Sequence, residues 1–228
     1  MAGSRAPGER TTSGSAWLTG CAPRNVVVER LYAFQQRKLD PRVVGALAMA
    51  PAALYVAPSR SWRPGASPST VSVSPGDELP LWVVDIGHRH THVCALTATP
   101  GKPGQVTCAF VRTISRGGEQ LTEAVARVMN VERTRAERMK HEYGLGEDEP
   151  KVSGALREAL RPLLRELRQT MAAYRSRYGD APRAIKLCGG TSHMRGIHEL
   201  LQNELDVDVM PLGPPVGAPW LDLAQREG

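Results

Sequence analysis

The feature that most constrains this chain is a change of pattern at Leu81. Residues 58–80 hold prolines among serines and glycines, the composition of a linker or long loop. They give way to Leu81-Trp82-Val83-Val84-Asp85-Ile86, an unbroken apolar run interrupted only by one aspartate. A run this short and this apolar reads as a buried strand, and Gly87 lets the chain turn back into a second strand over residues 91–99. Pro100, Gly101, Pro103 and Gly104 supply the next turn, and residues 105–114 form a third strand. Three consecutive strands of this kind demand a sheet covered on at least one face.

Helical periodicity then takes over. Leu121, Val125, Val128 and Met129 make one apolar stripe beginning near Gly118, and residues 134–143 form a short helix. The longest helix spans 153–178, with Leu156, Leu160, Leu163, Leu164, Leu167, Met171, Tyr174 and Tyr178 at three- and four-residue steps. Pro162 is expected to bend it or delay its start. A short strand at 184–188 ends in Gly189-Gly190, a helix at 194–205 contains Gly196, and a strand at 207–212 closes the pattern. This order specifies an α/β fold with a mixed sheet flanked by helices. Upstream, residues 1–24 lack periodicity and are read as disordered. Val28, Leu31, Tyr32 and Phe34 mark a helix, and a second apolar helix follows Asp40-Pro41, with Pro51 as a kink or break.

Composition narrows the partners. At 41% hydrophobic and 23% charged residues the chain is an ordinary globular mixture, which excludes collagen, coiled coil and wholesale disorder. No run is long and apolar enough for a transmembrane segment. The charge of +6 invites an acidic partner, but the arginines are interleaved with glutamates and no run of five basic residues occurs. The reading is a solvated, mildly basic surface with no nucleic-acid partner. Four cysteines without a CxxC pair suggest neither a zinc ribbon nor a disulfide framework, and a cytoplasmic setting is expected.

Two turns carry chemistry. At the first, Asp85 sits at a strand tip, Gly87 permits close backbone approach, and Thr91 adds a hydroxyl, a set suited to phosphate; Asp85 could hold Mg²⁺ through water. At the second, Gly189, Gly190 and Thr191 join a strand to a helix N-terminus, whose free amides attract anions. Either turn alone is equally an ordinary joint. Thr134 and Glu137 have capping-box spacing, and Glu137 with Lys140 has that of a helix-surface pair. His88, His90, His92 and Cys94 alternate in a zinc-capable pattern, with Cys108 on the next strand, although Cys94 and Cys108 are expected in the core.

In combination these segments resemble the actin superfamily, in the branch that holds the cell-division protein FtsA, the pilus protein PilM and the secretion protein GspL. The Asp85-x-Gly87 turn is similar to its second phosphate loop and Gly189-Gly190 to its adenosine loop. Gly117-Gly118-Glu119-Gln120-Leu121-Thr122 and Ala136-Glu137-Arg138-Met139-Lys140 resemble two intervening motifs, the latter on the ribose and adenine side of the nucleotide. Residues 39–57 resemble the helix leading into the second phosphate loop.

The resemblance implies ATP with Mg²⁺ as the cofactor, and Asp85, Gly87, Thr91, Glu137, Lys140, Gly189, Gly190 and Thr191 as nucleotide-binding residues. It places no catalytic residue: only Arg42 is charged on the preceding apolar helix, and His88, Arg89 and His90 crowd the phosphate turn. It also implies that the first lobe is missing. The expected organisation is a disordered segment at 1–24, a helical remnant of the first lobe at 25–57, a linker at 58–80, an actin-like lobe at 81–213 and a tail at 214–228. The implied function is a cytoplasmic scaffold of a pilus or secretion platform. It would bind platform proteins or the peptide tail of an inner-membrane protein, and so lie peripherally at the membrane. The alternative is an ATP-binding ATPase of the FtsA and PilM type.

Overall fold

The apolar run fixes the centre of the molecule. Leu81, Trp82, Val83, Val84 and Ile86 are each almost wholly buried, so the strand they form is covered on both faces. In the computed structural model, which describes residues 22–41, 47–55, 79–99 and 106–213, this strand is β1 (Leu81–Ile86). The antiparallel β2 (Thr91–Ala98) and β3 (Val106–Ile114) lie on one side of it. The parallel β4 (Ala184–Cys188) and β5 (Asp208–Pro211) lie on the other, giving the order β3-β2-β1-β4-β5. The register sets Asp85 opposite His92 on β2 and Cys188 on β4.

The two faces of the sheet are unequal. Trp82, Val84 and Ile86 point into the main core with Ile185 and Leu187, under α3 (Gly118–Met129), α5 (Pro150–Tyr178) and α6 (Ile197–Leu205). Tyr174 meets the Trp82 ring edge-on at 5.5 Å, and Arg112 of β3 ties to Glu166 of α5 at 2.6 Å. The opposite face carries a smaller cluster of Leu81, Val83, Cys94, Leu96 and Ala184, with Ala52 of α2 (Ala50–Tyr55) packed on it. On that face, toward the strand end, lies Asp85.

Several expectations are corrected. The long helix begins at Pro150 and runs through Pro162 without a break. A mid-helix proline costs roughly 3 kcal/mol, but Leu156, Leu160, Leu163, Leu164 and Leu167 are all buried at about 1.5–3 kcal/mol each, which outweighs it. Pro51 stands in the first turn of α2, where no amide is needed, so it starts a helix after a 3₁₀ turn at Leu47–Met49 and does not break one. Val128 is 51% exposed and leaves the α3 stripe to Leu121 and Val125. Gly196 lies before α6 as its cap, at φ +78, not inside the helix.

The chain divides into two units, Met1–Arg42 and Val43–Gly228. The first contains α1 (Arg24–Gln35), which has the expected helical pattern but no buried residue. The second contains the sheet. The expected tail and the Pro100–Gly104 turn, and most of the expected disordered segment and linker, lie outside the described residues; Arg24, the last residue of that segment, opens α1.

Candidate functional site

The two glycine turns sit side by side because β1 and β4 are parallel neighbours, so their carboxyl ends emerge together; open α/β sheets bind ligands at such ends. Gly189 is forced by this proximity. At φ +88 it occupies the left-handed region, and a Cβ there would overlap the Asp85 carboxylate and stand 2.5 Å from the Ile86 carbonyl. Gly190, by contrast, has open space where its Cβ would be.

A third glycine joins them. Gly118 begins α3 directly against Gly87: its amide donates to the Gly87 carbonyl at 2.9 Å, and the Glu119 amide donates to the His88 carbonyl at 2.7 Å. The first two amides of α3 are therefore spent on the phosphate-type turn itself. A Cβ on Gly118 would stand 2.8 Å from the Thr191 hydroxyl and 3.3 Å from Lys140 Nζ, which shows how closely the second turn and the lysine approach. Thr91 is fully buried and its hydroxyl donates to the Arg116 carbonyl at 2.8 Å, holding the segment before α3 against β2.

Lys140 and Glu137 form the polar centre. Both lie on α4 (Arg133–Tyr143), which packs across α3. Lys140 is 2% exposed, yet its ammonium donates to both Glu137 carboxylate oxygens at 2.8 Å and to Thr122 Oγ1 at 3.1 Å. Thr122 also reaches Glu137, and His141 Nε2 lies 3.1 Å from the same carboxylate. Burial pushes the Glu137 carboxyl up, but the hydrogen bonds from Lys140 and Thr122 and the lysine charge outweigh it and hold it at about 2. The capping box predicted at Thr134 and Glu137 does not form. The helix begins one residue earlier, Glu132 is its cap residue, and Glu137 turns inward to the lysine.

Asp85 is different. Burial pushes its carboxyl above the ordinary range, offset in part by His92 across the strand. Burial likewise pushes His92 down, and its Nδ1 lies 3.0 Å from Thr113 Oγ1. Burial and the Asp85 charge push the Cys188 thiol up to about 12. Arg89, expected to crowd the phosphate turn, pairs with Glu119 at 3.3 Å, beside Arg133 at 3.0 Å.

The second turn departs from its expected form. Gly190–His193 is a 3₁₀ turn, closed by the Ser192 hydroxyl on the Gly189 carbonyl at 2.7 Å, so no α-helix N-terminus faces the glycines. The zinc-capable alternation does not converge either. His88 leans to Glu119, His92 to Thr113, and Cys94 meets Cys108 at 3.2 Å within the smaller core cluster. Among the described residues no group of three or more His, Cys, Asp or Glu could hold a metal ion.

The structure thus brings together Asp85, Gly87, Gly189, Thr191, Glu137 and Lys140, with Gly190 opening outward. Sequence reasoning met Gly118 and Thr122 only as parts of a family-like motif and assigned neither to the site; the structure shows them as the link between α3 and α4. A Cβ at Gly190 meets nothing within 4 Å, so that side of the cluster has room for a ligand. A single half-buried carboxylate fits Mg²⁺ only through water.

Comparison with known proteins follows the same lines. The family described as "Type IV pilus assembly protein PilM" matches residues 69–218, about two-thirds of the chain. Among solved structures, the chain is similar to one titled "PilM-PilN type IV pilus biogenesis complex", with a TM-score of 0.62 and 27% identity over 83% of this chain and 48% of that one. It is also similar to MreB 5 of Spiroplasma citri bound to AMPPNP, with a TM-score of 0.55 and 14% identity over 83% of this chain and 60% of that one, a likeness of fold alone. The chain therefore spans about half the length of the first of these. No curated protein matches it.

Proposed function

The chain belongs to the PilM family of type IV pilus assembly proteins, has an actin-like fold, and from that premise we propose that it is a partner-binding scaffold of the pilus assembly platform. Nucleotide, where it binds, is a structural ligand that orders the turns and does not turn over. The observation that carries this reading is the closure of the polar centre. Lys140, Glu137, Thr122 and Gly118 satisfy one another, and the first two amides of α3 are bonded to Gly87 and His88. A site that accelerates phosphoryl transfer needs donors aimed at the developing charge and a group that positions the attacking water. Here the candidate donors hold protein to protein, which favours a rigid platform. The similar PilM structure is a complex with PilN, which supports a pilus-assembly protein as the partner class; the family resemblance implies contact through the cytoplasmic tail of an inner-membrane protein. Among the described residues no helix is long and apolar enough to cross a membrane.

A second reading, an ATP-binding ATPase, draws on one observation: the half-buried Asp85 carboxylate and the open Gly190 lie at neighbouring strand ends, where open α/β sheets bind ligands. In that reading Asp85 would hold Mg²⁺ through water, and Glu137 with Lys140 would face the ribose.

The test is titration calorimetry with a peptide of the PilN-type cytoplasmic tail, run with and without ATP and Mg²⁺. The scaffold reading expects binding without nucleotide. Binding that strictly requires ATP, together with phosphate release, would replace it with the ATPase.

A further inference from the structure

The arginines that look scattered in the sequence are not scattered in space. Arg157, Arg161, Arg165 and Arg168 follow one another at four, four and three residues, a spacing that keeps all four on one side of α5. They line a trough of about 380 Å³ between α5 and α6, which shares no lining residue with the glycine turns. Leu164 and Leu200 supply its apolar lining, and Glu204 is its one carboxylate.

This stripe carries more charge than the protein neutralises. Arg168 pairs with Glu204, Arg157 donates to the Leu145 carbonyl at 3.2 Å, and Arg161 meets Glu158 at 3.1 Å with both side chains about 70% exposed. Arg165 is exposed and has no hydrogen-bond or ion-pair partner among the described residues. Like charges four residues apart on a helix destabilise it. The helix thus carries a repulsion that a bound anion would relieve. Guanidinium groups are suited to that role because their forked donors match carboxylates bidentately.

We propose that the α5–α6 trough is a docking surface for an acidic peptide segment of a partner protein. The four arginines would pair with its Asp and Glu side chains, and an apolar residue would rest between Leu164 and Leu200. From Arg157 to Arg168 the helix rises about 16 Å, the reach of roughly five extended residues. A concave trough with an apolar lining suits a peptide. A lipid surface meets flat or projecting faces, and this geometry does not offer one. The proposal deepens the scaffold reading by naming a partner's chemistry, and rests on that reading only for the partner being a platform protein.

The test is fluorescence anisotropy with a short labelled peptide of aspartates and glutamates around a central leucine. The comparison is wild type against Arg161→Glu/Arg165→Glu, with Arg165→Ala as a milder variant. Thermal melts check that these exposed changes leave the fold intact. The expected result is binding that weakens with salt, falls at least tenfold in the charge-reversal variant, falls less in Arg165→Ala, and is unchanged in Asp85→Ala. No binding to wild type, or equal binding to the charge-reversal variant, overturns the proposal. Phosphatidylglycerol vesicles form the second arm; vesicle binding lost in the charge-reversal variant, without peptide binding, would make the trough a membrane surface and also overturn it. Because the calorimetric titration uses a tail peptide and wild-type protein, failure there with success here would reject the tail partner and keep the trough.

Discussion

The glycine turns and the α5–α6 trough are both polar, yet they treat their charges in opposite ways. At the turns the cation is interior: Lys140 is almost fully buried and bonded to Glu137 and Thr122, and α3 spends its first amides on the neighbouring loop. At the trough four arginines face one carboxylate of the lining, and Arg165 is left without a partner among the described residues. The contrast separates polar groups that hold a fold together from polar groups kept available. Buried polar networks act as structure when fully satisfied. Unneutralised surface charge in a concave site is where a partner gains most.

The sharpest way to break that comparison is at Gly189. Gly189→Val should cost about 4 kcal/mol, because strain at positive φ and overlap with the Ile86 backbone add. Gly190→Ala, one residue on and facing open space, should stay within about 0.5 kcal/mol in the same urea melts. Equal costs would mean the turns are not packed on one another.

Lys140→Met comes next. Removing one partner of a buried ion pair costs roughly 3–5 kcal/mol, and because the Glu137 side chain is 40% exposed we expect about 2 kcal/mol. Adding Glu137→Gln should recover part of that loss, since the stranded carboxylate is gone. Arg165→Glu should move stability by no more than about 0.5 kcal/mol, because its guanidinium holds nothing in place.

Acid should expose the same pair. Glu137 binds protons less readily in the folded protein, at about 2, than in the unfolded chain, near 4.5. Its contribution to stability is therefore present above pH 4.5 and is lost as pH falls toward 2. Asp85 runs the other way, since its raised folded value makes protonation relieve a burial cost. Chemical melts from neutral to acid pH should lose part of their slope in Glu137→Gln and steepen in Asp85→Asn. An unchanged slope in Glu137→Gln would mean that the carboxylate is not held by Lys140.

Much of this was legible in the chain. The five strands follow from short apolar runs, and the two glycine turns from the glycines that end β1 and β4, whose apolar residues are buried on both faces of the sheet. What was not legible depends on distance in sequence. By spacing alone Lys140 and Glu137 read as an ordinary surface pair, and by resemblance as nucleotide-binding residues; only the packing of α4 across the start of α3 buries the lysine. The place of Gly196 follows from the Leu145 amide bonding to the Arg195 carbonyl at 2.9 Å, a link between residues fifty apart that no local pattern announces. The arginine stripe was hidden because charge was counted along the chain, where glutamates intervene, and not around the helix.

The central claim is that the glycine-turn site is structural, and phosphate release from ATP with Mg²⁺, measured for wild type and Asp85→Ala, tests it most directly. The account predicts no release above the buffer rate in either protein. Steady release by wild type that disappears in Asp85→Ala, with the melting temperature of the variant unchanged, would contradict it and make the chain an ATPase.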